Sequence, residues 1–219
     1  MNSIIQFESL LAKALNSAGL STYSATIPLL IKHYELLRKW DSTFNLTSLD
    51  EPEDIIDRLY IDSLLFIKDL QGATSLLDIG SGPGFPGIPL LAANPQLNLT
   101  ILEPRRKMCA FLSEVQYAFK GERNFEIVNA RCDSPEFVQS SRELFPVIIS
   151  KAFSPPSKAL QLVLPIIKYD GLYATCINPD TPLEAPIHDS YELNSDNTYH
   201  LPLTGKATRH LLFRRKNPL

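Results

Sequence analysis

The sequence predicts a doubly wound α/β fold, in which a mostly parallel seven-stranded sheet with helices on both faces follows a helical N-terminal extension. Three observations predict it. From residue 74 onward, short apolar runs of strand length alternate with helix-length segments, the pattern of βαβ units. A glycine-rich turn follows the first of these runs, where such folds turn from strand into helix. Before residue 70 the apolar residues recur instead at helical spacing.

The helical part is read as residues 1–70. In its second segment Ile27, Leu30, Ile31, Tyr34 and Leu37 fall on one face, with Ser24 placed to cap the start. Trp40 and Phe44, again at helical spacing, read as core residues. A third helix is predicted from Pro52, carrying Ile55, Ile56, Leu59 and Leu64. No Gly/Ser-rich linker follows, so this part is expected to pack directly on a second unit, residues 71–219. There the runs 75–79, 97–102, 125–129, 147–150 and 171–177 read as strands. The segments 86–93, 105–119, 135–142 and 156–168 read as helices. Beyond Ile177 the chain turns polar and proline-rich, through NPDTPLEAPIHD. Two closing strands, near 190–193 and 207–213, bring the sheet to seven.

With 219 residues, 44% hydrophobic and 21% charged, the chain has the balance of an ordinary globular protein. No run approaches the roughly 20 apolar residues of a bilayer-spanning helix. The start, MNSIIQFESLL, lacks the basic segment and cleavage site of a signal peptide. Cys109, Cys132 and Cys176 lie far apart with no CxxC pair, which argues against a disulfide framework or a zinc site. The expectation is a cytoplasmic monomer with neither membrane partner nor metal. The net charge of −3 excludes little, because phosphate binding rests on clustered cations rather than on the total. Arg38-Lys39, Arg105-Arg106-Lys107 and Arg214-Arg215-Lys216 are such clusters. His33, His188, His200 and His210 show no mutual spacing for metal or triad chemistry and are assigned no role.

The sharpest motif runs from Leu76 to Gly87, LLDIGSGPGFPG. An apolar strand ends in Asp78 and enters a turn whose glycines, Gly80, Gly82 and Gly84, permit a tight bend and close approach of a ligand to the backbone. Asp78 is placed to orient an ammonium, directly or through water, and loop N–H groups to meet a carboxylate. Glu103 ends the next strand, 21 residues after Gly82. An acid at that distance accepts hydrogen bonds from ribose hydroxyls and disfavours a 2′-phosphate. At the end of the third strand, Asn129-Ala130-Arg131-Cys132-Asp133 offers an acid and N–H groups to an adenine edge. Asp133 also suits a cap for the helix near Pro135, and Cys132 a small buried hydrophobe. By themselves these residues predict a nucleoside-binding α/β domain, with S-adenosylmethionine and NAD both open.

Longer motifs narrow the choice. Tyr34-Glu35-Leu36-Leu37, Trp40, FNLTS at Phe44–Ser48, Asp62-Ser63-Leu64, DIGSGPGFPGIP at Asp78–Pro89, and Glu103-Pro104-Arg105-Arg106-Lys107 with Phe111-Leu112 stand in this order. Together they resemble the bacterial 16S ribosomal RNA guanine-N7 methyltransferases, the glucose-inhibited division protein B family. The resemblance runs from about Tyr34 to near Lys168. It implies a Rossmann-like methyltransferase sheet, S-adenosyl-L-methionine as cofactor, and 16S rRNA or the small ribosomal subunit as partner. It also implies cofactor contacts at Gly80 and Phe85, at Cys132-Asp133 (where the family usually has Ala-Glu), and at Lys151 (where it usually has Arg). The expected cofactor set is therefore Asp78, Gly80, Gly82, Phe85, Glu103, Cys132, Asp133 and Lys151. The expected RNA set is Asp62, Ser63, Arg105, Arg106 and Lys151.

Guanine N7 already carries an in-plane lone pair, so methyl transfer is a direct displacement at the sulfonium and no general base is assigned. Proximity and alignment are what such a site supplies. Pyrimidine C5 chemistry would need a thiolate, commonly after proline, and here the cysteines follow Met108, Arg131 and Thr175. Ser154-Pro155-Pro156-Ser157 approaches the pattern for exocyclic amines but lacks its aromatic residue. Four positions depart from the family. Leu59 stands for a usual His, Pro146 for an Asp, Lys151 for an Arg, and Asn178 where Lys-Gly is expected. Lysine keeps the charge but loses the planar fork. Two alternatives follow: a non-catalytic or retargeted RNA-binding relative, and a nucleotide-dependent α/β enzyme.

Overall fold

The computed structural model describes residues 2–70, 72–123, 125–183 and 188–217. The helical part opens with α1 (Asn2–Ser17), a 3₁₀ turn at Ser21–Thr26 and α2 (Ile27–Phe44). A second helical rod follows: α3 (Pro52–Ile55), a π turn at Ile56–Ile61, α4 (Asp62–Leu65) and a 3₁₀ turn at Phe66–Lys68. The sheet contains β1 (Ser75–Ile79), β2 (Asn98–Leu102), β3 (Phe125–Val128), β4 (Phe145–Lys151), β5 (Ile167–Ile177), β6 (Tyr191–His200) and β7 (Ala207–Arg215). Between the first five strands lie α5 (Gly87–Ala93), α6 (Arg106–Ala118), α7 (Pro135–Ser140) and α8 (Pro156–Val163).

The strand order is β3-β2-β1-β4-β5-β7-β6. Neighbours from β3 to β5 pair in parallel, and β7 runs antiparallel between β5 and β6. The mostly parallel seven-stranded sheet is the one expected. The chain winds outward from β1 to β3, then returns to lay β4 on the other side of β1. That reversal opens a crevice at the carboxyl ends of the strands, where such sheets bind ligands.

Alternation along the strands divides the core between the two faces. Leu76, Leu99, Ile101, Val147, Ile149 and Ala174 pack with α5, α6 and the N-terminal helices, whose Phe7, Leu11, Leu30 and Tyr60 belong to the same buried cluster. Leu77, Ile79, Ile148, Tyr173 and Phe213 face α7 and α8. The expected direct packing of the helical part on the sheet is thus present.

Several local expectations need correction. Ser24 does not cap α2: its hydroxyl donates to Ser21 O (2.6 Å) inside the 3₁₀ turn, and Thr26 stands at the cap. The helix expected over 156–168 ends at Val163, because Leu164 precedes Pro165 and a residue before proline disfavours helix. β5 then begins at Ile167 rather than at 171, with a register shift opposite Phe145/Val147. Pro146 sits at that irregularity, where a strand tolerates its missing donor. β6 continues to His200, seven residues past the expected end at 193, through polar residues that leave no apolar signal. Residues 184–187 of the proline-rich stretch lie outside the described residues. Phe44 is 42% exposed rather than core, whereas Trp40 is half-buried and donates Nε1–H to Glu114 on α6 (2.9 Å).

The FNLTS segment stops α2 and docks it. Asn45 takes the left-handed conformation (φ 48°) at the end of the helix, which Asn tolerates better than most residues. Asp41 Oδ1 accepts the N–H groups of Leu46 (2.6 Å) and Thr47 (2.9 Å). Lys107, in the first turn of α6, donates to Phe44 O (2.8 Å). The turn is thereby held beside the carboxyl end of β2.

Candidate functional site

The glycine loop is built around Asp78. This residue is fully buried at the end of β1, and its Oδ2 accepts the Ser81 hydroxyl (2.6 Å) and the Gly87 N–H (2.8 Å). One carboxylate oxygen thus ties both limbs of the loop together. The other, Oδ1, is buried with no hydrogen-bond partner among the described residues. Burial pushes the Asp78 carboxyl up to about 7 against the pull of its two donors, and Glu103 adds to the rise. Asp78 therefore sits behind the loop rather than on its open surface.

Glycine is required at two positions of the loop. Gly84 has φ +100°, and a Cβ there would lie 2.5 Å from Ile88 Cγ1. Gly80 has φ +68°, and a Cβ would lie 2.9 Å from the Phe153 ring. Gly80 N–H is held by Leu102 O (2.8 Å), and Phe85 N–H by Ser81 O (2.9 Å). The Phe85–Pro86 peptide is cis.

From the other side, α2 and the π turn grip the same loop. His33, fully buried, lies 2.8 Å from Pro83 O through Nε2 and 2.9 Å from the Tyr60 hydroxyl through Nδ1. A carbonyl only accepts, so Nε2 carries the proton and Nδ1 accepts from Tyr60. Burial lowers His33 to about 4, opposed by the bond to Pro83. Phe85 meets both rings edge-on, at 5.1 Å from each.

Glu103 faces the loop from the end of β2 and is 1% exposed. Its Oε2 accepts Gly82 N–H (2.9 Å) and its Oε1 accepts Arg105 N–H (3.0 Å). The Arg105 guanidinium adds Nε to Oε1 (2.7 Å) and Nη2 to Oε2 (3.4 Å). Asn129 fixes the approach by donating to Glu103 O (2.9 Å) and Pro104 O (3.0 Å). Next to Glu103 is a cavity of about 80 Å³, lined chiefly by Ile79, Leu102, Pro104, Cys132, Phe153 and Leu162. Cys132 is buried in it as a small hydrophobe, its thiol pushed up to about 12 by burial. Asp133, at the rim, does not cap α7, whose cap position is Ser134. It pairs instead with Arg131 through two bonds (2.8 and 2.9 Å).

Lys151, Asp62 and Ser63 lie one strand away, at the end of β4. Lys151 Nζ donates to Asp62 Oδ2 and Arg58 O. Asp62 Oδ1 is bonded to His210 Nε2 (2.7 Å). Burial would raise the Asp62 carboxyl, but the Lys151 charge and the His210 bond outweigh it and hold it far below the usual carboxylate range. The sheet register aligns Lys151, Cys176, His210 and Asn197 across four strands. This polar row faces the helical rod, with Asn197 reaching Asp69 (3.4 Å) as Lys151 and His210 reach Asp62. Ser63 is fully buried and donates to Leu59 O, which places it behind the mouth rather than at it. Leu59 packs against the core and Asn178 turns its side chain onto Asp180 N–H (3.0 Å).

The structure thus gathers Gly80, Gly82, Glu103, Cys132 and Asp133 around one crevice, with Asp78 and Phe85 supporting it and Lys151 at its side. Arg105 and Arg106 stand exposed on its rim. Among the described residues, no group of three or more His, Cys, Asp or Glu side chains is arranged to hold a metal ion, and no helix is long and apolar enough to cross a membrane.

Sequence reasoning missed Phe153, His33, Tyr60 and His210. Position gave a signal for two of them. His33 falls between Leu30 and Leu37 on the inward face of α2, and His210 alternates with Thr208 and Leu212 toward the helical rod. Phe153 follows Ala152, a non-glycine residue at φ +51°, a turn that the sequence does not announce.

A family profile for rRNA small subunit methyltransferase G matches residues 26–207. The chain belongs to this family. The Ribosomal RNA small subunit methyltransferase G of Caldanaerobacter subterraneus is 29% identical over 214 residues, covering 90% of this chain and 89% of that one. Its counterpart from Legionella pneumophila (strain Corby) is 32% identical over 185 residues, covering 83% and 86%. A solved structure of similar fold, the cyclase SpnF, gives a TM-score of 0.57 at 11% identity over 85% of this chain and 95% of its own. That last likeness concerns the fold alone, which hosts more than one chemistry. Membership of the rRNA small subunit methyltransferase G family makes the chain a methyltransferase, as the motifs implied.

Proposed function

We propose that the enzyme transfers a methyl group from S-adenosylmethionine to N7 of a guanine in 16S ribosomal RNA. The observation that carries the cofactor assignment is the juxtaposition of Glu103 with the apolar cavity beside it. A buried carboxylate suited to a ribose diol lies next to a small cavity whose lining is chiefly apolar, with Arg131 and Asp133 among its residues, suited to adenine. The residues fit the group in a further way: the loop at Gly80 has no room for a Cβ, as a close backbone cradle requires.

In this reading Glu103 holds the sugar, and the backbone of Gly80 and Gly82 the amino-acid end, with Asp78 and Phe85 fixing the shape of the loop. Cys132 and Asp133 border the base, and Lys151, paired with Asp62, anchors the end of β4 next to the loop. Adenosylmethionine supplies a methyl group already activated as a sulfonium. The protein has then to align an RNA base whose N7 lone pair is free, without removing a proton, and to keep water away. Arg105 and Arg106 at the rim are suited to RNA phosphates.

The deciding experiment incubates the purified chain with methyl-tritiated adenosylmethionine and small ribosomal subunits from a strain lacking this modification. Nucleoside mass spectrometry should find 7-methylguanosine in the 16S RNA. A different methylated nucleoside, or none, overturns the assignment. Glu103→Ala should weaken S-adenosylhomocysteine binding by calorimetry about tenfold or more, as expected when hydrogen bonds to a charged group are lost.

A further inference from the structure

The hydrogen bonds at Glu103 can be counted. A carboxylate has about four acceptor positions. At Glu103 four donors occupy them: Arg105 N–H and Nε on Oε1, Gly82 N–H and Arg105 Nη2 on Oε2. With 1% exposure, the residue has little surface left for any other donor. Two of the four donors are backbone groups fixed by the loop. The other two belong to one guanidinium, whose side chain is 59% exposed. That guanidinium also lies over the glycine turn, since Arg105 Nη2 would be 3.4 Å from a Cβ on Gly82. A ribose diol donating one bond to each oxygen needs two acceptor positions, and the movable donors hold one on each oxygen.

We propose that Arg105 is a positioning residue exchanged between Glu103 and the RNA backbone: the cofactor's sugar displaces its guanidinium, and the freed cation takes a substrate phosphate. The exchange rests on the methyltransferase reading above. Arg105 makes no side-chain bond other than to Glu103 among the described residues, so once displaced it has no second protein anchor. Two nearby cations differ: Lys107 is tied to Phe44 O and Arg131 to Asp133. An ion pair with one well-exposed partner is weak enough to yield, and phosphate offers the same two-pronged geometry to the guanidinium fork as the carboxylate it leaves. The consequence is cooperative binding. Cofactor frees a phosphate contact, RNA draws away the competitor of the sugar, and each tightens the other by the same factor.

The test uses the full chain and its Arg105→Gln and Arg105→Lys variants, with folding checked by thermal denaturation. Calorimetry with S-adenosylhomocysteine should show Arg105→Gln binding about two- to fivefold more tightly than wild type, the range set by a half-exposed ion pair. Arg105→Lys, which keeps the charge without the fork, should fall between, and it carries the test if the glutamine variant does not fold. Filter binding of unmodified small subunits should tighten when S-adenosylhomocysteine is added to wild type and respond less for Arg105→Gln. Unchanged or weaker S-adenosylhomocysteine binding by both variants overturns the exchange while leaving the methyltransferase reading in place. A folded wild-type chain that takes up no S-adenosylhomocysteine overturns both.

Discussion

Asp62 is ionised out of reach of solvent because Lys151 and His210 divide its two oxygens between them. Removing one partner of such a buried group costs more than forming the pair ever gained, typically about 3–5 kcal/mol. Lys151→Met should therefore lower stability in urea titrations by about that amount, reduced to the extent that His210 still serves Asp62. Lys151→Arg, which restores the side chain usual in the family, should lose far less. Two equally mild effects would mean the ion pair is not what joins the rod to the sheet. The depressed Asp62 carboxyl lends stability that is complete above the ordinary carboxylate range and drains as pH falls below it. Asp62 and Lys151 were visible in the sequence through their motifs. His210 was legible only as an inward position of its strand, and its pairing was not, because its partner lies 148 positions away.

Among the elements, the end of α2 shows how a family motif can be structural. Asp41 supplies one oxygen to two N–H groups that the helix leaves open at FNLTS. Asp41→Ala should cost about 1–3 kcal/mol in urea denaturation, the usual penalty for stranding partly buried donors. Asp41→Asn, which keeps an acceptor, should recover most of it. An alanine variant as stable as wild type would show that water serves those groups equally well. The strands β1 to β4 were legible because each is an apolar run bounded by turn residues. β5 was read four residues short because Lys168, Tyr169 and Asp170 interrupt its apolar pattern. The polar β6 hid for a different reason, since an edge strand exposed along most of its length needs no hydrophobic alternation. Around the crevice, glycines and acids announced themselves by spacing. Phe153 and the His33–Tyr60 pair depend on how separate elements cross, and only the fold supplies that.

For the molecule as a whole, two buried groups on either side of the glycine loop act oppositely with pH. His33 is lowered from 6.5 to about 4, so its contribution is complete above the higher value and drains as pH falls. Asp78 is raised from 3.8 to about 7, so its contribution is complete at low pH and drains as pH rises. Between pH ~4.5 and ~6.5 the two slopes, each at most about 1.4 kcal/mol per pH unit, largely cancel. Difference curves against wild type should therefore diverge. Asp78→Asn should lose stability on acidification through this window, and His33→Gln should gain it. Curves parallel to wild type for both variants would dismiss the compensation. The overall architecture was readable because the first five strands alternate with helices in one repeating rhythm, whereas this balance joins residues 33 and 78 and has no linear signature. The outer border of the sheet has its own consequence. β6 is largely solvated and breaks register between Leu193 and Ser195, while β7 behind it is mostly buried and β3 at the far border is only four residues long. A copy of the chain approaching from either border meets a kinked polar ribbon or a short stub rather than a strand it can extend. The fold thus discourages filament growth during synthesis, when many nascent chains crowd together.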